Sequence, residues 1–202
     1  MNPEQAKARL RATLGDRVAA MPAGERAAAS ARIRDHIAAS GLWRRASVVM
    51  LYAADASEPD LDALIASGVD AGKTVCVARI DWEGKRMVPA SVGSPADLVP
   101  DRHGIRVPGA ACPGVAPESV GLVVVPGVGF DLSGGRVGRG GGFYDRFLAG
   151  LEAGGPIRAV AVGACFAAQV VGRVPSGAHD RKVDGLVTET GLTMHRDTEG
   201  PG

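Results

Sequence analysis

Aromatic residues are scarce in this chain, at 4%, and cysteines number three among 202 residues. Cys76, Cys112 and Cys165 are isolated and odd in number, so no disulfide framework organises the fold; they read as reduced thiols in an apolar interior. An excess of one charge is also missing. With 23 basic and 22 acidic residues the formal net charge is +1, which gives no electrostatic footing for nucleic acid or a membrane surface. No apolar run approaches the ~18 residues of a transmembrane helix. The N-terminus lacks the apolar core of a signal peptide, which predicts a cytoplasmic protein. The four histidines show no zinc-ligand spacing. No repeat or linker divides the chain, so a single domain is expected over residues 1–192, followed by a disordered tail over 193–202.

Glycine, by contrast, is plentiful at 29 residues, and it concentrates where the chemistry is expected. Leu122 to Pro126 (LVVVP) reads as a strand buried on both faces, as in a parallel sheet. A glycine-rich loop follows, with Gly138, Gly140, Gly141 and Gly142 clustered, and from Phe143 the apolar spacing becomes helical. Strand, glycine loop and helix present backbone N–H groups to an anion at a helix N-terminus. Arg136 and Arg139 in this loop suit phosphate oxygens. Asp145, just inside the helix, is suited to a hard cation such as Mg²⁺. A phosphate-bearing ligand is the reading. The dinucleotide fingerprint G-x-G-x-x-G is absent from the loop. Gly68 to Thr74 is one residue short of a Walker A loop and precedes a strand rather than following one.

Along the chain, residues 3–20 are expected to be helical, with Leu10, Leu14 and Val18 as the apolar stripe. Lys7 and Arg11 lie four apart on one helix face, a pattern that by itself describes a solvated face. A second helix over Ala23 to Ser40 ends at Gly41. Strands are expected over 47–52, 74–78, 85–92, 122–126, 157–163 and 182–188. Ser57 is expected to cap a helix with Pro59 in its first turn. Glu58 there is either a ligand-facing group at a strand's C-terminal end or a first-turn carboxylate favoured by the helix dipole. Residues 93–119 form a long irregular segment of the kind used as a binding loop. The fold class is α/β: a three-layer, open, mostly parallel sheet with helices on both faces and an N-terminal helical pair.

Pro126-Gly127-Val128-Gly129-Phe130-Asp131 and Arg136-Val137-Gly138-Arg139-Gly140-Gly141-Gly142-Phe143-Tyr144-Asp145 together resemble the signature of the 5-formyltetrahydrofolate cyclo-ligase family. Lys7-Ala8-Arg9-Leu10-Arg11 resembles that family's N-terminal K-x-x-L-R. Glu58, Met87, and His179-Asp180 with Val183-Asp184 follow in the family's order. The resemblance implies an ATP- and Mg²⁺-dependent ligase that closes 5-formyltetrahydrofolate to 5,10-methenyltetrahydrofolate. It implies that Lys7 and Arg11 contact ATP phosphates, and that Arg136, Arg139 and the segment Gly138 to Tyr144 cradle the triphosphate. It further implies that Lys7 and Arg139 carry the catalytic charge, that Asp145 and Asp180 hold Mg²⁺, and that Glu58 takes the pterin, with Tyr52, Met87, Arg139 and Phe143 completing the folate site. The partners implied are small molecules alone, and the expected state is a monomer. The chain departs from the family pattern at Phe143 (usually tyrosine), Ala78 (usually proline) and Val107 (usually glutamate). A relative with another substrate, or a sugar-phosphate isomerase or CoA transferase on a related scaffold, is the alternative.

Overall fold

The computed structural model describes residues 3–153 and 159–195. Its frame is a seven-stranded sheet. The strands are β1 (Val48–Leu51), β2 (Thr74–Asp81), β3 (Arg86–Ser91), β6 (Leu122–Pro126), β9 (Val160–Ala164), β11 (Gly185–Thr188) and β12 (Gly191–Met194), in the order β12-β11-β9-β6-β1-β2-β3. The five inner strands run parallel, and β12 and β3 add antiparallel edges. Side chains alternate cleanly between two cores, as the strand period requires. Val49 and Leu51 of β1 and Leu122 and Val124 of β6 point to one face. Met50, Val123 and Val125 point to the other. Both faces are covered, which is why these strands read as unbroken apolar runs.

The first face is covered by α2 (Ala23–Ala39), α3 (Gly41–Arg45) and α4 (Asp62–Asp70), through Ala29, Ile33 and Ile37, Trp43, and Leu64 and Ile65. The second face carries α5 (Phe143–Ala153), whose Tyr144, Phe147, Leu148 and Leu151 form a helical stripe against it. Helices therefore lie on both faces, as expected. The N-terminal helix α1 (Pro3–Ala19) sends Val18 into the first core, but its Leu14 packs with Val137 and Val174 on a separate small sheet. That sheet, of β7 (Gly129–Asp131), β8 (Arg136–Val137) and β10 (Val170–Val171), was not legible in the sequence.

Several local expectations are corrected. Gly41 does not simply end α2; Ser40 closes α2 and opens α3, its Oγ donating to the Ile37 carbonyl and accepting from the Trp43 N–H. Ser57 does not cap a helix. Asp55 to Glu58 instead form a turn, the Tyr52 hydroxyl donates to the Pro59 carbonyl, the Asp60 N–H donates to Ser30, and α4 does not start until Asp62. The segment 93–119 contains a 3-10 turn (Pro95–Asp97) and a two-stranded ribbon of β4 (Leu98–Pro100) and β5 (Arg106–Pro108). Thr193 and Met194 belong to β12, so ordered chain extends past the expected start of the tail, while residues 196–202 lie outside those described. Of the strand expected over 157–163, residues 157 and 158 also lie outside them. No helix among the described residues is long and apolar enough to cross a membrane.

Two features place the glycine loop on the sheet. The fully buried Phe130 ring lies where a Cβ on Gly163 of β9 would come within 2.4 Å of it, and one on Gly127 within 2.7 Å. The Asp131 carboxylate then receives the N–H groups of Ser133, Gly135 and Val174 and the Ser133 hydroxyl, closing the β7–β8 turn against the chain that follows β10. Gly163→Ala should therefore force the ring or the strand aside. The expected loss is about 1–3 kcal/mol, the usual cost of overpacking, read from urea unfolding. An unchanged midpoint would show that Phe130 does not depend on this gap.

Candidate active site

In the sheet order, the chain passes from β1 to β2 on one side and from β6 to β9 on the other. Ligands of open α/β sheets bind at such a reversal, beyond the strands' C-terminal ends. A cleft of about 920 Å³ opens there. It is lined by each residue singled out from the sequence: Lys7, Arg11, Tyr52, Glu58, Met87, Arg136, Gly138 to Tyr144, Asp145 and Asp180.

One end of the cleft is ionic. Lys7 lies on the same buried stripe of α1 as Leu14 and Val18, so its ammonium is carried inward. It donates to both Asp180 oxygens, at 2.8 and 2.6 Å, with Glu4 3.6 Å away. Arg11, one turn on, donates to the Gly138 carbonyl at 2.8 Å. The buried Arg136 donates to Asp145 Oδ1 at 2.9 Å, an oxygen that also takes the Arg181 N–H; the Arg136 Nε is left without a hydrogen-bond partner. Burial alone would raise the Asp180 carboxyl. The Lys7 hydrogen bonds, the Gly177 N–H and the positive charges of Lys7 and Arg136 outweigh it and hold the group below the usual carboxylate range. Around this end the loop turns through Gly140 (φ +98°) and Gly142 (φ +64°), conformations that side chains resist, and delivers Phe143 to the start of α5.

The other end is apolar with one carboxylate. Glu58 lies three residues before the Leu61 N-cap of α4, so the helix-dipole reading does not hold. Burial pushes its carboxyl up to about 7, Asp55 adds to the effect, and the Asp55 N–H and the Arg139 guanidinium hold it back. Burial and the Glu58 charge also keep the Tyr52 and Tyr144 phenols well above their ordinary range. Arg139 is turned toward this end, bonded to Asp55 and to Ser57 Oγ (3.0 Å). Met87 is buried against the same wall.

Sequence reasoning missed part of the lining. Trp82, at the β2–β3 turn, meets Phe143 edge-on (ring centroids 5.3 Å) and His103 at 4.3 Å, and its indole N–H donates to Asp101. Arg106 forks onto Asp62 at 2.7 and 3.0 Å. Trp82 and His103 enter on hairpin tips of the form Asp-x-x-Gly (Asp81 to Gly84, Asp101 to Gly104), a turn signal that was available in the sequence, and Arg106 opens β5 after the second. Val107 is not among the lining residues, although its neighbours Ile105 and Arg106 are.

Among the described residues there is no cluster of three or more His, Cys, Asp or Glu that could hold a metal ion. Asp145 and Asp180 nevertheless face one cleft as hard oxygen donors. Two carboxylates completed by phosphate oxygens and water suit Mg²⁺ carried on a nucleotide, whereas a dedicated protein cage would need more ligands. The donor set fits that ion.

The 5-formyltetrahydrofolate cyclo-ligase family model matches residues 3–189. A 5-formyltetrahydrofolate cyclo-ligase of Mus musculus is 27% identical over 190 residues, covering 91% of this chain and 94% of its own. One from Mycolicibacterium smegmatis is 34% identical over 155 residues, covering 73% and 77%. Among solved structures, the 5,10-methenyltetrahydrofolate synthetase of Aquifex aeolicus superposes with a TM-score of 0.80 at 32% identity, covering 97% of this chain and 96% of its own.

The Lys7–Asp180 pair has a pH signature of definite sign. Because the folded carboxyl lies below its unfolded value, its stabilisation is complete above the ordinary carboxylate pKa and is lost as pH falls through the lower folded one. Asp180→Asn should cost about 1.5–3 kcal/mol at pH 7, the range for a charged hydrogen bond. The gap from wild type should narrow toward pH 3. A gap constant with pH, measured by denaturant unfolding, would mean that the pair contributes no charge-dependent stability.

Proposed function

This chain belongs to the 5-formyltetrahydrofolate cyclo-ligase family, a family of ligases, and we propose that it closes 5-formyltetrahydrofolate to 5,10-methenyltetrahydrofolate, spending ATP with Mg²⁺. The observation that carries this reading is the meeting of two unlike surfaces in one cleft. Lys7, Arg11 and Arg136 gather with Asp145 and Asp180 around the glycine loop, and Glu58, Tyr52, Met87 and Phe143 form a pocket beside them.

The reaction needs such a division. The N5-formyl oxygen is a poor leaving group until the γ-phosphoryl group of ATP is transferred to it, releasing ADP. N10 then attacks the formyl carbon, the carbon–oxygen bond breaks toward the departing phosphate, and N10 gives up its proton. No nucleophilic side chain is required. The protein's work is positioning and charge stabilisation. In this reading Lys7 and Arg11 hold phosphate oxygens, and Arg139 reaches the oxygen on which charge develops. The backbone from Gly140 to Tyr144 receives phosphate at the start of α5. Asp145 and Asp180 hold Mg²⁺, which neutralises phosphate charge when bound. Ionised Glu58 accepts the donor-rich edge of the pterin, while Tyr52, Met87 and Phe143 exclude water. Phe143 offers a ring without a hydroxyl, so in this reading its contact with the folate is through the ring. Buried and half-buried free cysteines are consistent with a cytoplasmic setting.

The test is an absorbance assay for the methenyl product. Purified protein with 5-formyltetrahydrofolate and Mg²⁺ should stay dark in the near ultraviolet until ATP is added, then absorb. Asp145→Ala and Lys7→Met should each lower kcat/KM by about 10²–10³, the scale for removing one preorganised charge from a transition state. Folded wild type that binds ATP without turnover would instead favour a relative with another substrate. Failure to bind ATP at all would sink the nucleotide reading.

A further inference from the structure

Three cations of the cleft are held at its ionic end: Lys7 by Asp180, Arg136 by Asp145, and Arg11 by the Gly138 carbonyl. Arg139 is not. It leaves the same glycine loop but crosses to the β1–α4 connection, where its Nη2 donates to Asp55 Oδ2 and to Ser57 Oγ and lies 3.7 Å from Glu58 Oε1. Asp55 is built to receive it. Its Oδ1 accepts the Ser57 N–H and hydroxyl, both at 2.8 Å, which fixes the carboxylate with Oδ2 toward the guanidinium. The same short turn ties Asp55 to Glu58 in both directions. The Glu58 N–H donates to the Asp55 carbonyl at 3.2 Å, and the Asp55 N–H donates to Glu58 Oε2 at 3.3 Å. Two carboxylates thus share one guanidinium that arrives from across the cleft.

We propose that Asp55 is a positioning residue that parks Arg139 on the folate side of the cleft and, through that shared guanidinium, sets the charge of Glu58. The groups facing Glu58 are few. Tyr52 comes from the end of β1, Tyr144 from α5, Arg139 from the glycine loop, and Asp55 from the residue's own turn. Burial favours the neutral acid, and both phenols stay uncharged. The balance is therefore struck between Asp55, which opposes ionisation, and Arg139, which favours it. The Asp55–Arg139 pair is half exposed, with side chains 51% and 59% accessible. A pair so exposed is weak and readily exchanged. An anionic ligand that draws Arg139 away leaves Asp55 unneutralised beside Glu58. Anion binding and Glu58 ionisation then oppose one another, and Asp55 is the link between them.

The kinetic consequence rests on the proposed role of Glu58 as the pterin acceptor; the electrostatic coupling does not. The deciding measurement is a carbon-13 NMR titration of the Glu58 carboxyl in ligand-free protein, assigned with Glu58→Gln. Asp55→Asn keeps the acceptor that holds the turn, removes the opposing charge and frees Arg139 for Glu58. Its titration midpoint should fall from about 7 toward the ordinary carboxylate range. Arg139→Gln should move it the other way. Midpoints that stay at the wild-type value in both variants, or that shift in the same direction, overturn the proposal. In turnover with ATP held far below its KM, the acid limb of kcat/KM for the folate reports the ligand-free enzyme. At pH 6 wild type should run about tenfold below its plateau, while Asp55→Asn runs near its own. A limb that does not follow the titration midpoint overturns the link to Glu58 as acceptor. A wild type without turnover refutes the functional reading, and the titration still decides the role of Asp55.

Discussion

Much of this structure depends on how closely one phenyl ring approaches the backbone. Phe130 fills space that side chains at Gly127 and Gly163 would occupy. Because both positions are glycine, the β7–β8 hairpin lies tightly against the C-terminal ends of β6 and β9. The glycine loop hangs from that hairpin, and α5 begins where the loop ends. Displacement of the ring would carry the loop, Arg136 and the first turn of α5 with it. Gln169 reinforces the same junction, donating to the carbonyls of Gly127 and Val128 from the far side of the hairpin.

Four cations of the ligand-free cleft stand paired with carboxylates. Lys7 and Arg136 are almost wholly removed from water, and each would be costly to bury alone; Asp180 and Asp145 offset that cost. Arg106 with Asp62 and Arg139 with Asp55 repeat the arrangement at the more exposed wall. A ligand bringing its own anions and cation has only to exchange partners, since preorganised charges of both signs already stand in place. Under the proposed function, the same contacts that stabilise the empty fold are the ones redistributed when substrates enter.

The central fold was legible because its signals are local. Val48 to Leu51 and Leu122 to Pro126 are uninterrupted apolar runs, and Leu10, Leu14 and Val18 keep helical spacing. Many of the residues that meet in the cleft were legible as well, but only the signature pattern put Lys7 and Asp180 in one site, and it assigned them to phosphate and metal rather than to each other. Spacing alone left Lys7 and Arg11 as a solvated pair. What escaped was made by tertiary contact. Ser57 has the chemistry of a cap, but hydrogen bonds from the Tyr52 hydroxyl to Pro59 and from Asp60 to Ser30 fix the following residues, and α4 starts only at Asp62. β8 and β10 are two residues each, too short to leave a period, and become strands only by pairing with β7. Trp82 and His103 belong to loops whose Asp-x-x-Gly turns give the tip of a hairpin without saying which surface that tip will meet.

The pairing of Lys7 with Asp180 spans 173 positions. A contact so distant in sequence closes a long loop, whose entropy opposes it until other structure shortens that loop. During vectorial synthesis the helix bearing Lys7 emerges with no carboxylate of its final partner yet made. Its buried ammonium can be neutralised by Asp180 only when most of the sheet has been translated. The pocket is thus among the last parts of the molecule that a nascent chain can complete, and a chain stopped before position 180 has Lys7 and the glycine loop but not the carboxylate that Lys7 pairs with.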